Sequence, residues 1–172
     1  MMEIRTTTTY TEDRIKKFLK FYYFDKIKTT RIVLNILILI VIINFFTKYD
    51  NERTTVDIIS FIFALIGLLE LNSSFLPRFN YYKLKRRKNS IIGTKISYIF
   101  KKNNFKLITD KDEYIDYNTL KKVIETKTDY YLYINSLRSL ILGKDNLSEE
   151  DINTITNTFK EKVSTYIYKK NV

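Results

Sequence analysis

The chain of 172 residues has neither cysteine nor histidine. Without cysteine it can form no disulfide, no thiolate nucleophile and no cysteine-ligated zinc site, and its redox compartment leaves no trace in the sequence. The absence of histidine excludes Ser-His-Asp and Cys-His catalysis, imidazole-bound metals and the usual switch near neutral pH. Chemistry run by carboxylates, lysine or tyrosine is left. Acidic residues are in the minority, with 19 Asp and Glu against 30 Lys and Arg, for a formal charge of +11. Such an excess suits nucleic acid, anionic lipid or the cytoplasmic flanks of membrane spans, and its distribution decides between them.

Two long stretches lack charge almost entirely. Ile32 to Phe46 reads IVLNILILIVIINFF, with Asn35 and Asn44 its only polar members. Its thirteen Ile, Leu, Val and Phe residues favour insertion into a bilayer by roughly 4 to 8 kcal/mol before the two Asn penalties. Thr30, Thr47 and Tyr49 are expected to extend the run through the interface. Val56 to Leu76, VDIISFIFALIGLLELNSSFL, is long enough to span but carries Asp57 and Glu70. The polar link between the runs is short, so the two segments, about 31–49 and 56–76, are expected to form an antiparallel transmembrane hairpin within residues 31–77. No apolar core and cleavage site precede the first run, so it is expected to remain attached.

Eight Lys or Arg precede Ile32 and the run Lys83-Leu84-Lys85-Arg86-Arg87-Lys88 follows Leu76, whereas the link has only Lys48 and Arg53. By the positive-inside rule both termini face the cytoplasm. Lys83, Lys85, Arg86, Arg87 and Lys88, within a basic connector at 78–89 whose start Pro77 marks as the helix exit, are the candidate contacts for anionic lipid of the inner leaflet. Nucleic acid is the lesser reading of this run, because it is tethered beside a span. Asn35 and Glu70 fall at similar depths and are the candidate intramembrane polar pair. Residues 1–30 form an arm in which, from Tyr10 to Lys28, Ile15, Phe18, Leu19, Tyr22 and Tyr23 alternate with lysines. They predict an amphipathic helix that lies on the membrane or packs on the soluble domain.

From Ser90 the pattern becomes alternating. Six short strands are expected around Ile96–Phe100, Phe105–Ile108, Tyr114–Tyr117, Lys122–Thr126, Tyr130–Ile134 and Ser139–Leu142, with turns at 102–104 and 109–112. Ser148-Glu149-Glu150-Asp151 has the form of a capping box, and Ile152, Ile155, Phe159, Val163 and Ile167 follow at helical spacing. Antiparallel strands closed by one C-terminal helix are the order of a pleckstrin-homology-like (PH-like) barrel or sandwich over residues 90–172. The expected fold is therefore α+β: an N-terminal transmembrane helical hairpin and a PH-like domain capped by one helix.

Two basic-flanked apolar runs followed by Val123-Ile124-Glu125-Thr126-Lys127-Thr128-Asp129-Tyr130-Tyr131-Leu132-Tyr133 and Leu140-Ile141-Leu142-Gly143-Lys144 resemble the YcxB-like family of bacterial membrane proteins. The opening Tyr10-Thr11-Glu12-Asp13 fits as well. Tyr117 stands where the family commonly has Trp, and Gly143 where it commonly has Pro. The resemblance implies a bacterial cell-membrane location and a PH-like domain, and no activity.

The function expected is that of a non-enzymatic binding or scaffold protein. Its partners would be the anionic inner leaflet and an unidentified protein. Cofactors, catalytic residues and metal ligands are expected to be none. Acidic groups at Asp110, Asp112, Glu113 and Glu149–Asp151 read as turn and helix-dipole chemistry. Two alternatives stay open: immunity against a membrane-acting bacteriocin or toxin, and an ion or solute conduit built by a homo-oligomer.

Overall fold

The computed structural model describes residues 3–26, 28–48, 52, 54–73, 75–88, 90–109, 111–135 and 138–170. Tyr49, Arg53 and Asp110 of the sequence reading lie outside them. In chain order the elements are β1 (Ile4–Thr9), α1 (Glu12–Lys26), α2 (Lys28–Thr47), α3 (Thr55–Asn72), α4 (Phe75–Lys85), β2 (Lys95–Phe100), β3 (Asn104–Ile108), β4 (Glu113–Asp116), β5 (Lys122–Glu125), β6 (Asp129–Tyr133), β7 (Ser139–Gly143), α5 (Glu149–Lys162) and β8 (Tyr166–Tyr168). They fall into two units, one of Met1–Phe18 with Asn89–Val172 and one of Leu19–Lys88. The chain is thus α+β, with a two-sheet unit interrupted by a helical insertion.

In the first unit the strands form two four-stranded sheets, ordered β1-β2-β3-β4 and β7-β6-β5-β8. The first sheet is antiparallel throughout, with Ile4 opposite Phe100 and Thr9 opposite Lys95 in the β1–β2 pair. Phe100, Phe105, Tyr117, Leu132, Leu142 and Phe159 belong to one buried core between the sheets. Phe159 of α5 meets the rings of Phe100, Tyr117 and Tyr130 edge-on, with centroids 6.2, 6.0 and 5.6 Å away, the geometry that ring quadrupoles favour. Strand β6 is buried on both faces, and Phe18 of α1 packs edge-on against Tyr131 at 5.2 Å.

Two expectations change here, and one of two alternatives is taken up. Residues 4–9 of the arm, ahead of its expected helix, form a strand of the two-sheet unit: β-branched threonines prefer extended backbone, and Thr6 and Thr8 face inward. Ile15 and Phe18 cover the two-sheet unit, the second of the two roles weighed for that helix. Ile167 lies in β8, because α5 ends at Lys162 with Val163 extended as its C-cap. Strand β8 then pairs parallel to β5, so the strand array is neither six-membered nor wholly antiparallel, and the helix is not its last element.

In the second unit α2 and α3 run antiparallel. Phe45 stacks on Phe61 at 4.3 Å, Lys48 reaches Asp57 at 2.7 Å, and an alanine and a glycine, Ala64 and Gly67, allow close approach; a Cβ on Gly67 would meet Ile38 at 3.4 Å. Helix α3 starts from a capping box made by Thr54 and Asp57. Both helices are long and apolar enough to cross a membrane. They are not buried core helices: Ile40, Phe46, Phe63 and Leu69 are more than half exposed. Pro77 does not mark a helix exit into a connector. It sits at the third position of α4, where a missing N–H costs nothing because the first turn has no intrahelical acceptor for it.

Candidate functional site

The expected lipid contacts lie on α4 and the turn after it. Lys83 and Lys85 occupy its last turn, where cations complement the helix dipole. Arg86, Arg87 and Lys88 follow, and all five are exposed. The expected polar pair is rearranged. Asn35 exchanges two amide hydrogen bonds with Asn72, at 3.1 and 3.4 Å, and Glu70 lies exposed two residues away. The register explains this. Pairs 45–61 and 48–57 place residue 72 opposite residue 35, and two residues of helix shift the carboxylate by about 3 Å.

Sequence reasoning missed a buried ionic cluster in the first unit. Arg14 projects from the first turn of α1, where its N–H also donates to Thr11 Oγ1 at 3.3 Å. Its guanidinium donates to Asp129 Oδ1 at 2.5 Å, to the carbonyl of Thr9 at 2.7 Å and to Asp145 Oδ1 at 2.9 Å. Asp129 is 4 % exposed and Asp145 55 %, so the first pair is an interior one and the second a rim contact. The turn between β5 and β6 presents Asp129. Thr126 Oγ1 donates to the Asp129 carbonyl and accepts from its N–H, both at 2.9 Å, and Thr128 Oγ1 donates to its free carboxylate oxygen at 2.6 Å. Beside it Lys144 pairs with Glu125, donates to the carbonyl of Thr126 at 2.9 Å and lies over the Tyr130 ring at 4.5 Å.

Gly143 leaves room for this cluster as it stands. A Cβ there would fall 2.4 Å from Asp145 Oδ1 and 2.5 Å from the Arg14 guanidinium. Its N–H donates to Thr8 Oγ1 at 3.0 Å, a bond that the proline of the family pattern could not make. The neighbouring outward amide of β7, Ile141 N–H, donates to Tyr10 Oη at 2.8 Å, and Tyr98 Oη donates to the Ile141 carbonyl at 2.9 Å. Side chains of β1, of β2 and of Tyr10 just after β1 thus satisfy the edge of β7 and fasten one sheet to the other. Burial pushes the Tyr98 phenol well above its ordinary value of 10 and raises Tyr10 as well.

A groove of about 500 Å³ opens beside the cluster, with Lys17 and Lys127 on its rim. The ionic groups within it are committed to one another. An arginine does not give up its proton, and both Asp129 oxygens already accept a bond. The arrangement holds strands and helix together. Of the acidic residues weighed earlier, Asp112 pairs with Lys106 at 2.5 Å, Glu113 with both nitrogens of the Arg138 fork, and Asp151 sits at the first turn of α5, its N–H bonded to Ser148 Oγ at 3.1 Å. The Arg138 fork holds the Glu113 carboxyl below its ordinary range.

The signal missed was a long-range one, since Arg14 and Asp129 are 115 residues apart. Glu125, Asp129 and Lys144 all belong to the two segments that carried the family resemblance. No curated protein and no solved structure matches the chain. Residues 100–159, from the end of β2 to Phe159 of α5, match the family model described as YcxB-like protein, the family that those two segments resemble.

Proposed function

We propose that the chain is a membrane-anchored, non-enzymatic binding protein whose two-sheet unit, read as PH-like, is held at the cytoplasmic face to engage a protein partner. The anchoring rests on two helices long and apolar enough to cross a membrane, and one observation carries the topology: β1, before the apolar hairpin, pairs along its whole length with β2, after it. A sheet cannot be split across a bilayer, so the chain crosses an even number of times between Thr9 and Lys95, and α2 and α3 supply two crossings. The basic residues flanking both helices then lie on the same side as the sheets, the side that the positive-inside rule makes cytoplasmic. The PH-like reading draws on two sheets around one aromatic core with α5 across it. The mutual commitment of the buried ionic groups supports a binding role over acid–base catalysis. The Asn35–Asn72 pair is satisfied within the hairpin, which takes support from the conduit reading.

Because the chain has no cysteine, single cysteines report topology without background. Glu52→Cys in the link is expected to react with an impermeant maleimide in intact cells, and Lys127→Cys only after permeabilisation. Labelling of both in intact cells, or the reverse order, would overturn the reading. Crosslinking from Lys127→Cys in cells to a defined protein, lost in a chain lacking the hairpin, is the expected sign of a partner met at the membrane.

A further inference from the structure

We infer that α4 carries an interfacial binding face for anionic phospholipid, built from Phe79, Tyr82, Lys83 and Arg86. This deepens the membrane-anchored reading and rests on it. The four residues are spaced i, i+3, i+4 and i+7, which places them on one stripe: Phe79, Tyr82 and Lys83 lie on α4, and Arg86, just past its end, continues the turn through its N–H to the Tyr82 carbonyl at 3.1 Å; together they line a groove of about 500 Å³. Phe79 is 56 % and Tyr82 59 % exposed, whereas Tyr81 on the other side of the helix is 3 % exposed. The helix is therefore held by one face and shows large aromatic rings on the other. Helix α4 starts at Phe75, only a few residues beyond the end of α3 at Asn72, so the stripe is tied to the end of an apolar helix, at the level where a bilayer meets water.

Charge selects the occupant. From Leu71 to Thr109 there is no Asp or Glu, while Arg78, Lys83, Lys85, Arg86, Arg87 and Lys88 all fall within that stretch. Aromatic rings favour the depth of glycerol and headgroups, and Lys or Arg beside them attracts lipid phosphate carrying net negative charge. The sequence pattern alone marks a linear basic run. The helix sorts that run, placing Lys83 and Arg86 with the rings and Lys85 off the stripe.

The chain has no tryptophan, so Tyr82→Trp in the intact protein reports from this face alone. The protein would be reconstituted in phosphatidylcholine vesicles containing equal fractions of phosphatidylglycerol, with bromine on the chains of one lipid or the other. The expected result is blue-shifted emission, quenched about twofold or more strongly by brominated phosphatidylglycerol than by brominated phosphatidylcholine. Lys83→Ala with Arg86→Ala should abolish that excess. Leu39→Trp, on the exposed face of α2, should be quenched equally by both lipids. Unquenched, red emission from Tyr82→Trp with Leu39→Trp quenched would overturn this inference and leave the anchoring intact, as would the recovery of quenching only when a protein partner is removed. Equal quenching of Tyr82→Trp by both lipids would overturn the anionic preference, and no quenching at either position would overturn the membrane reading itself.

Discussion

Arg14 holds three acceptors at once, and only one of them is deep in the unit. Breaking a buried ion pair leaves a desolvated charge behind, which costs about 3 kcal/mol or more, whereas an exposed partner is worth under about 1 kcal/mol. Asp129→Ala should therefore lower the denaturant-unfolding free energy of the two-sheet unit by about 3 kcal/mol, and Asp145→Ala by under about 1 kcal/mol. Equal losses would mean that the depth of Asp129 does not govern the cluster. Gly143→Pro removes the donor to Thr8 and drives carbon into the Arg14 guanidinium. It should cost at least about 2 kcal/mol by the same measurement, and a neutral result would show that Arg14 is free to leave its place.

At the scale of elements, the decisive piece is β1. It pairs with β2 through six residues, and its Thr8, with Tyr10 just beyond its end, satisfies amides of β7, so it joins both sheets. Residues 90–170 expressed alone lack this strand and leave those amides and the inward edge of β2 without partners. Such a fragment should fail to give dispersed amide resonances, while residues 3–18 joined to it by a flexible linker in place of the hairpin should restore them. A well-folded 90–170 fragment would show that β1 is dispensable. Helix α1 reinforces the point, since Phe18 covers the outer side of β6 and Ile15 is buried.

At the scale of the molecule, one two-sheet unit is assembled from segments on either side of an apolar insertion, and its core is rich in buried tyrosine. Tyr10, Tyr98, Tyr117, Tyr130 and Tyr131 are all raised above 10, in each case chiefly because burial disfavours the phenolate. A group raised in the folded state contributes stability that is present below its unfolded pKa of about 10 and lost as pH climbs towards the folded value. The unit should therefore unfold cooperatively in alkali above about pH 10, with a step of tyrosinate absorbance coincident with loss of the circular-dichroism signal. Ionisation of these five phenols while the signal stays native would contradict the packing described.

The apolar runs, their short link and the basic flanks are local composition, and local composition was enough to determine two long apolar helices and the strand-rich region that follows them. The strands at 95–143 and the start of α5 were legible for the same reason, as alternation and capping chemistry act over a few residues. Tertiary structure alone decided the rest. A threonine run favours extended backbone but carries no apolar alternation, and β2 and β7 lying beside it make it β1. Ile167 continues a helical period by coincidence and is claimed by the edge of β5. Asn35 chooses Asn72 over Glu70 because helix packing sets register to within a residue, which depth counted from the ends cannot. Arg14 and Asp129 meet across 115 positions, a contact that no local pattern encodes, since its energy comes from burial that exists only once both sheets and α1 are in place.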